Sequence, residues 1–500
     1  MWRNYLPITA AVLLGFGHVA LSAQTAPDQA AQSAAENAID EYQQAFDGRD
    51  YPAAIKALDK VSVEANNRQA RALLAAMRAS ALLGLKRNSE ADALIAQARD
   101  LAPGLSGVGD ILFFGGLTTR RFDIAADALD RMIAQDPAAV REIPTESMRY
   151  LMFNEPEGQK KRNDERRVAL ARLGYGGDTE RGHYLALNAL QILVKEGDYT
   201  GAQEFIADVK EPVALENLLI QRRYESLWAK IGEAAGPNLS KARMQAVLAA
   251  ERALGDAPDN HDKLANYVNA LRHAGRLDDA IAIRKRLPTD IKSMSAADEG
   301  LGWTVNNVAL ALHEAGRKDE ADQLFALLND APMPKEYWRV SMKINRLELL
   351  VGDGRYDRAL PLVEPTASTK GSPYADQLTR RLRYCVLHHL QGSAEAAKFK
   401  AGLLAHAADA PTQTVDGLLC AGEAEEAERV ALAALANPDL DKRTTFEEEF
   451  VRQLQTKPIT SDDPSVWQSR WVDFRKRPLI EAAFNRLGRD MPAEFLPPAH

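Results

Sequence analysis

Several features that would assign a biochemical activity are missing from this 500-residue sequence. It contains no H-E-x-x-H zinc pattern, no phosphate-binding loop ending in Gly-Lys-Ser/Thr and no G-x-S-x-G nucleophile turn. The two cysteines do not have zinc-binding spacing. A formal net charge of −8 argues against the basic face that general nucleic-acid binding requires. The sequence therefore predicts no catalytic, metal or cofactor site and no nucleic-acid partner.

The first 23 residues differ in character from the rest of the chain. Arg3 precedes an uncharged run from Leu6 to Leu21, and the small residue Ala23 ends the segment before a polar stretch begins. This order is typical of a secretory signal peptide, and an uncleaved N-terminal anchor is the alternative. No later segment approaches the length of a membrane span. We therefore predict a periplasmic mature chain without an integral membrane segment, which begins with a flexible leader over residues 24–32.

Cysteine is scarce, since only Cys385 and Cys420 occur. They are 35 residues apart, about one unit of the repeat described below, so they could pair across adjacent hairpins in an oxidising compartment. The alternative is a pair of small, buried apolar residues. We favour the unpaired interpretation, because the sequence provides no geometry for a bridge.

One sequence plan recurs along the chain, and the abundance of alanine and leucine favours helices throughout. A turn, often with glycine, is followed by an aromatic residue or leucine, then alanine, then apolar residues at helical spacing, then proline. The small alanine would let two antiparallel helices approach closely, and the apolar residues continue one helical face. The alanines at the shared position are Ala54, Ala91, Ala125, Ala202, Ala280, Ala321, Ala359 and Ala427.

This plan resembles the tetratricopeptide repeat (TPR) family, whose unit is a helix–turn–helix of about 34 residues. Some neighbouring alanines are 37, 34, 41 or 38 residues apart, and gaps of 77, 78 and 68 residues each suit two units, one of them degenerate. The resemblance implies an all-α, right-handed superhelical solenoid of antiparallel helix pairs, with about nine to eleven pairs over residues 33–450. The alternative is another helical-pair solenoid with a looser period.

The repeat pattern also divides the mature chain into segments. The pattern changes near residue 440, and we interpret the last helices as a cap, because a terminal repeat must cover the last exposed core face. The alternative is that Trp467 and Trp471, which share a helix face, present a binding surface. The predicted segments are TPR-like repeats over 33–137, a degenerate repeat or linker over 138–182, TPR-like repeats over 183–440, and C-terminal capping helices with a short tail over 441–500.

One enzyme class shares part of this architecture. Some periplasmic lytic transglycosylases pair a helical solenoid with a lysozyme-like domain, whose acid is a glutamate often followed by serine. Glu146-Ser147 and Glu225-Ser226 match that dipeptide but lie within the predicted solenoid, and the 60 residues after 440 are too few for such a domain. We therefore predict that the chain is not an enzyme, and a cell-wall hydrolase is the least favoured hypothesis.

Stacked hairpins create a concave groove lined by the first helix of each unit. In TPR domains that bind peptides, polar residues on this helix hold the peptide backbone, and amides suit the task because they both donate and accept hydrogen bonds. Ala265, Ser341 and Asn345 stand where the carboxylate-binding members of the family have Lys or Arg, so an acidic C-terminus is not the expected ligand. The alternative is that these amides are merely solvated. The resemblance implies groove positions at Asn269 and Asn307. Arg272, His273 and Asn306 are expected nearby on the same surface and complete the predicted partner-binding set.

These features predict a periplasmic TPR-type scaffold or adaptor that holds a protein or peptide partner in its concave groove. The alternative function is an accessory factor of envelope polysaccharide or protein export, because solenoids of this type recur in exopolysaccharide and cellulose export systems. No run of alternating strands follows residue 440, so such a factor would act with a separate outer-membrane porin.

Export predicts a defined mature N-terminus. When the full chain is produced in a bacterium, we expect the soluble envelope fraction to contain a protein that begins at Gln24, because cleavage follows the small residue Ala23. Intact-mass spectrometry measures this directly, and an Ala23→Arg variant should accumulate uncleaved. Recovery of the wild-type chain in membranes with residues 1–23 still attached would favour the anchor instead.

Overall fold

The chain divides into two compact units, Met1–Asp208 (unit 1) and Val209–His500 (unit 2). The predicted signal peptide and the start of the predicted leader lie outside the described residues, and the first described helix begins at Gln29. The computed structural model describes residues 29–61, 63, 67–156, 158–177, 179–330, 337–367, 372–456 and 466–496.

Within these ranges the structure is helical, apart from an isolated antiparallel bridge between Gln221 and Gly488. Among the described residues, no helix combines the length and apolarity needed to cross a membrane. Unit 1 contains α1 (Gln29–Asp47), α2 (Tyr51–Leu58), α3 (Arg68–Gly84), α4 (Asn88–Leu101), α5 (Ser106–Thr119), α6 (Phe122–Gln135), α7 (Pro137–Glu142), α8 (Thr145–Phe153), α9 (Lys160–Arg172), α10 (Glu180–Glu196) and α11 (Tyr199–Gln203).

Unit 2 continues with further α-helices and several short 3₁₀ turns. Its helices are α12 (Pro212–Ile220), α13 (Trp228–Ala235), α14 (Ser240–Asp256), α15 (His261–His273), α16 (Leu277–Ala282), α17 (Ile291–Ser295), α18 (Glu299–Glu314), α19 (Lys318–Asn329), α20 (Tyr337–Gly352), α21 (Tyr356–Ala367), α22 (Pro373–Gln391), α23 (Ser393–Ala405), α24 (Pro411–Cys420), α25 (Ala424–Leu435), α26 (Leu440–Gln453), α27 (Val466–Arg475) and α28 (Pro478–Leu487).

Eight hairpins share one turn geometry. In each, the first helix ends at a residue in the left-handed region, and the next backbone N–H donates to a carbonyl oxygen five residues earlier. At Gly275, for example, φ is 73°, and the backbone N–H of Arg276 donates to the Leu271 carbonyl oxygen at 2.9 Å. This bond satisfies a carbonyl that the helix end would otherwise leave unpaired. The left-handed residues are Arg49, Lys86, Arg120, Gly197, Gly275, Gly316, Gly354 and Gly422.

The alanine of the sequence plan lies five residues after each of these turn residues. All eight alanines are at most 1% exposed. Each lies where the second helix crosses the first, so a small side chain sets how closely the pair can pack. Neighbouring helices pack as successive pairs in both units, which confirms an all-α, TPR-like fold.

Residues 138–182, predicted as a degenerate repeat or linker, contain most of α7 together with α8 and α9. The charged run at the start of α9 includes Arg166, which is buried and bonded to both carboxylate oxygens of Asp130 on α6, at 2.5 and 3.0 Å. Glu155, just after α8, lies 3.3 Å from the same guanidinium. Because a buried charge needs such partners, this network ties α9 to the repeats before it.

The last helices of unit 2 contact its first helices. The backbone N–H of Arg489 donates to the Ile220 carbonyl oxygen at 2.8 Å, beside the Gln221–Gly488 bridge. Arg223 lies 3.6 Å from a carboxylate oxygen of Glu447 and of Glu448 on α26. The segment predicted as a cap therefore packs on α24 and α25 and also joins the end of unit 2 to its beginning.

The structure corrects our preference for unpaired cysteines. Cys385 on α22 and Cys420 at the end of α24 form a disulfide, with their Cα atoms 5.6 Å apart. Both side chains are buried, and α22 packs directly against α24. For a sequence separation of 35 residues, the chain-entropy account assigns such a cross-link about 3–4 kcal/mol of unfolding free energy. The pairing follows from stacking of the two hairpins, which a single sequence does not display.

The shared alanine gives a direct test of the packing. Ala280→Leu should lower the unfolding free energy by about 1–3 kcal/mol, because the added methyl groups have no space between α15 and α16. Ala282→Leu, at an exposed position of the same helix, is the matched control and should change it by less than about 0.5 kcal/mol. Urea unfolding followed by circular dichroism measures both, and equal midpoints would show that Ala280 does not limit the approach.

Candidate partner-binding surface

The predicted site residues lie in unit 2, on a row formed by the first helices of successive pairs. This row, called the first-helix row below, consists of α15, α18, α20, α22 and α24, each packed against the next. In stacked helical repeats, such helices line the surface that meets a partner. Asn269, Arg272 and His273 are on α15, whereas Asn306 and Asn307 are on α18.

Close approach at the starts of these helices brings the polar residues together. A Cβ atom at Gly300 would lie 2.6 Å from the backbone nitrogen of Asp262, and one at Gly302 would lie 2.2 Å from the ring of Trp338. Only glycine lets α18 pack this closely between α15 and α20. Asp298 caps α18 by accepting from Leu301 N–H at 2.8 Å, which fixes where the helix begins.

Four asparagines form what we call the amide row, namely Asn269, Asn307, Asn306 and Asn345. Asn307 Nδ2 donates to the Ala265 carbonyl oxygen of α15 at 3.0 Å. Asn306 Nδ2 donates to Asn307 Oδ1 at 3.1 Å, and Asn345 Nδ2 of α20 donates to Asn306 Oδ1 at 2.8 Å. Asn306 and Asn307 are 3% and 9% exposed, so these bonds satisfy polar groups that would be costly to bury unpaired.

At the other end of the amide row, Asn269 is held by a charged neighbour. Arg272 donates to Asn269 Oδ1 at 3.1 Å and to Glu314 Oε1 at 2.5 Å, and Glu314 ends α18. Burial raises the pKa of Glu314, although the Arg272 guanidinium lowers it in part. The ion pair is therefore a second link between α15 and α18, and it neutralises the charge of Arg272.

His273 completes this group as a neutral imidazole. Burial, followed by the positive charges of Arg272, Arg243 and Arg452, lowers its pKa from 6.5 to about 4. Arg272 donates to His273 Nε2 at 2.9 Å, which requires an unprotonated ring nitrogen. His273 therefore carries no charge at neutral pH and gains one only well below it.

The outer edges of the amide row keep unused hydrogen-bonding groups. Within the part of the chain that the structure describes, Asn269 Nδ2 has no acceptor and Asn345 Oδ1 has no donor. Both side chains are partly exposed. One free donor and one free acceptor are therefore presented from α15 and α20, on side chains whose other ends are already fixed.

The five predicted site residues lie close together but differ in how far they are exposed. The predicted residues form two hydrogen-bonded groups on adjacent helices, and their part in partner binding stays a prediction. Asn306 and Asn307 are too buried to face a groove fully, and they instead support Asn345. In the sequence, Asn345 stood out only because it replaces the cation of the carboxylate-binding pattern. Glu314 was missed, because its partner Arg272 lies 42 residues earlier in the chain, on another helix.

The alternative of a tryptophan surface at the C-terminus is wrong for Trp471. Its side chain is fully buried, and its indole N–H donates to Asp416 Oδ1 on α24. Asp416 also pairs at 2.9 Å with Arg381, a buried residue of α22. The Trp467 side chain lies outside the described residues. Helix α27 is therefore anchored in the first-helix row by a buried polar network.

The chain is similar to several chains of known structure. No protein-family profile matches the chain, and no curated protein matches it. Among nine matching chains of known structure is one described as "Structure of Naa15/Naa10 bound to HypK-THB". It is 16% identical, and the match covers 90% of this chain and 78% of that chain at a TM-score of 0.21. Because this score is low, the fold assignment rests on the helix pairs described above.

The amide row predicts a specific loss of stability. Asn307→Ala should lower the unfolding free energy by about 1–3 kcal/mol, because it leaves Asn306 Nδ2 buried without an acceptor and removes the bond that links α18 to the Ala265 carbonyl of α15. Asn266→Ala, at an exposed position on α15, should change it by less than about 0.5 kcal/mol. The urea midpoints of the two variants measure this difference. Equal midpoints would show that Asn307 is merely solvated.

Proposed function

We propose that this chain is a non-catalytic scaffold or adaptor that binds an extended segment of a protein or peptide partner along the first-helix row of unit 2. The observation that carries the proposal is the pair of unused groups on Asn269, which is held by Arg272, and on Asn345, which is held by Asn306. An extended backbone offers both carbonyl acceptors and N–H donors, which match a free amide donor and a free amide acceptor.

The side chains of Asn269 and Asn345 are already ordered before a partner binds. Asn345 is held by the buried Asn306, and Asn269 is held by Arg272, so neither side chain must lose much freedom when a partner binds. Costs of ordering side chains usually offset much of a polar contact. An amide that is already fixed can therefore contribute most of the roughly 0.5–1.5 kcal/mol that a hydrogen bond supplies.

The electrostatics of the surface favour a peptide backbone over a free carboxylate. Glu314 neutralises Arg272, and the lowered pKa of His273 leaves it uncharged at neutral pH. Ala265, one of the positions where a cation would stand, is buried and uses its carbonyl oxygen for Asn307. A ligand contacting this surface is therefore recognised by uncharged hydrogen bonds and shape.

We further propose that the chain acts in a bacterial periplasm after removal of residues 1–23. The layout of those residues supports export, and the buried disulfide supports an oxidising compartment. An accessory role in envelope polysaccharide or protein export, together with a separate porin, would be a specific case of this binding role. The identity of the partner distinguishes it from a general scaffold.

Affinity capture with quantitative mass spectrometry tests the binding role. The immobilised full chain should retain a reproducible set of envelope proteins, and the Asn269→Ala/Asn345→Ala double variant should retain them at least about fivefold less well, because each substitution removes one hydrogen bond. Capture of glycosyltransferase or porin components would assign the export role.

Gln245→Ala is the matched control, because it removes an exposed amide from α14, outside the amide row. It should capture the same proteins as the wild type. Equal capture by the double variant and this control, with both variants folded by circular dichroism, would rule out the proposed surface.

A further inference from the structure

Three residues with metal-binding side chains meet where α22 and α24 end. Cys385 and His389 are one helical turn apart on α22, and Cys420 is the last residue of α24. Their potential ligand atoms all lie within 4.8 Å of one another. Residues at i and i+4 share a helix face, so α22 directs a sulfur and an imidazole towards the same point.

The imidazole is held at this position by contacts outside the cysteine pair. His389 Nε2–H donates to the Cys420 carbonyl oxygen at 3.1 Å, and its ring stacks on Tyr356 with 4.2 Å between centroids. Tyr356 is in turn fixed by Arg470 of α27, which donates to its hydroxyl oxygen at 2.9 Å. His389 is exposed, whereas both cysteines are buried, so the group opens to solvent on the histidine side.

We propose that the reduced form of this group binds one zinc ion through the thiolates of Cys385 and Cys420 and the imidazole of His389. Two sulfurs and one nitrogen suit Zn²⁺, whereas Mg²⁺ and Ca²⁺ require oxygen ligands. The exposed side leaves a fourth tetrahedral position for water. The inference concerns a site outside the amide row and does not rest on the proposed function.

Disulfide and metal are alternative states of the same two sulfur atoms. Two molecules of a thiol reductant supply two electrons and two protons, which convert the Cys385–Cys420 bond into two thiols and yield one external disulfide. Zinc then displaces both thiol protons as it binds. Either state links α22 to α24, so reduction exchanges one cross-link for another without releasing the two helices.

Zinc titration of the full chain tests the proposal. The protein is reduced with a phosphine, freed of reductant under inert gas and titrated with Zn²⁺ against a chromophoric chelator. We expect one Zn²⁺ per reduced chain and none per oxidised chain. Cys385→Ser and Cys420→Ser should abolish this binding, and His389→Ala should weaken it at least about tenfold.

The control is His388→Ala, which alters the neighbouring histidine and should bind zinc like the wild type. Circular dichroism monitors the fold, and His389→Ala keeps the disulfide during purification, so it tests the site even if a serine variant does not fold. Cobalt(II) provides a second readout, since coordination by both thiolates gives sulfur-to-cobalt charge-transfer absorption. The proposal is overturned if reduced wild type binds no zinc, or if His389→Ala or the oxidised chain binds it equally well.

Discussion

The close approach of two helices at one small side chain organises this protein. In eight hairpins an alanine lies five residues after the left-handed turn residue, and at all eight positions it is almost completely buried. Little space remains between the two helices, because a Cβ atom at Gly116 on α5 would lie only 2.7 Å from the backbone nitrogen of Ala125 on α6. Once the separation of the two helices in a hairpin is set, the first helix of each pair packs against the next in a regular register.

That regular stacking explains why polar residues of the first-helix row find one another. Asn307 reaches a carbonyl of α15, and Asn345 of α20 reaches Asn306 of α18, because the three helices lie side by side. Buried amides left without partners would destabilise the fold, so the row must be nearly complete. Within the described residues, its unused groups lie at the partly exposed edges, on Asn269 and Asn345, which solvent can reach.

Long-range ties add a second level of constraint to unit 2. The disulfide joins α22 to α24, while Trp471 of α27 bonds to Asp416 of α24. Arg489 contacts Ile220, far back along the chain, and brings the last segment of the unit to its first helices. These contacts limit how freely neighbouring hairpins can move, and such rigidity would suit the binding role that we propose.

The sequence by itself determined the helix pairs, because turn, alanine and apolar spacing act within one repeat of about 34 residues. It did not reveal that Arg49, Lys86 and Arg120 take the left-handed turn position that glycine holds elsewhere. Only the tertiary structure decided that the cysteines pair, that Trp471 is buried and that Glu314 neutralises Arg272. Such contacts join side chains from different repeats, and their partners are set by how hairpins stack, which local periodicity does not encode.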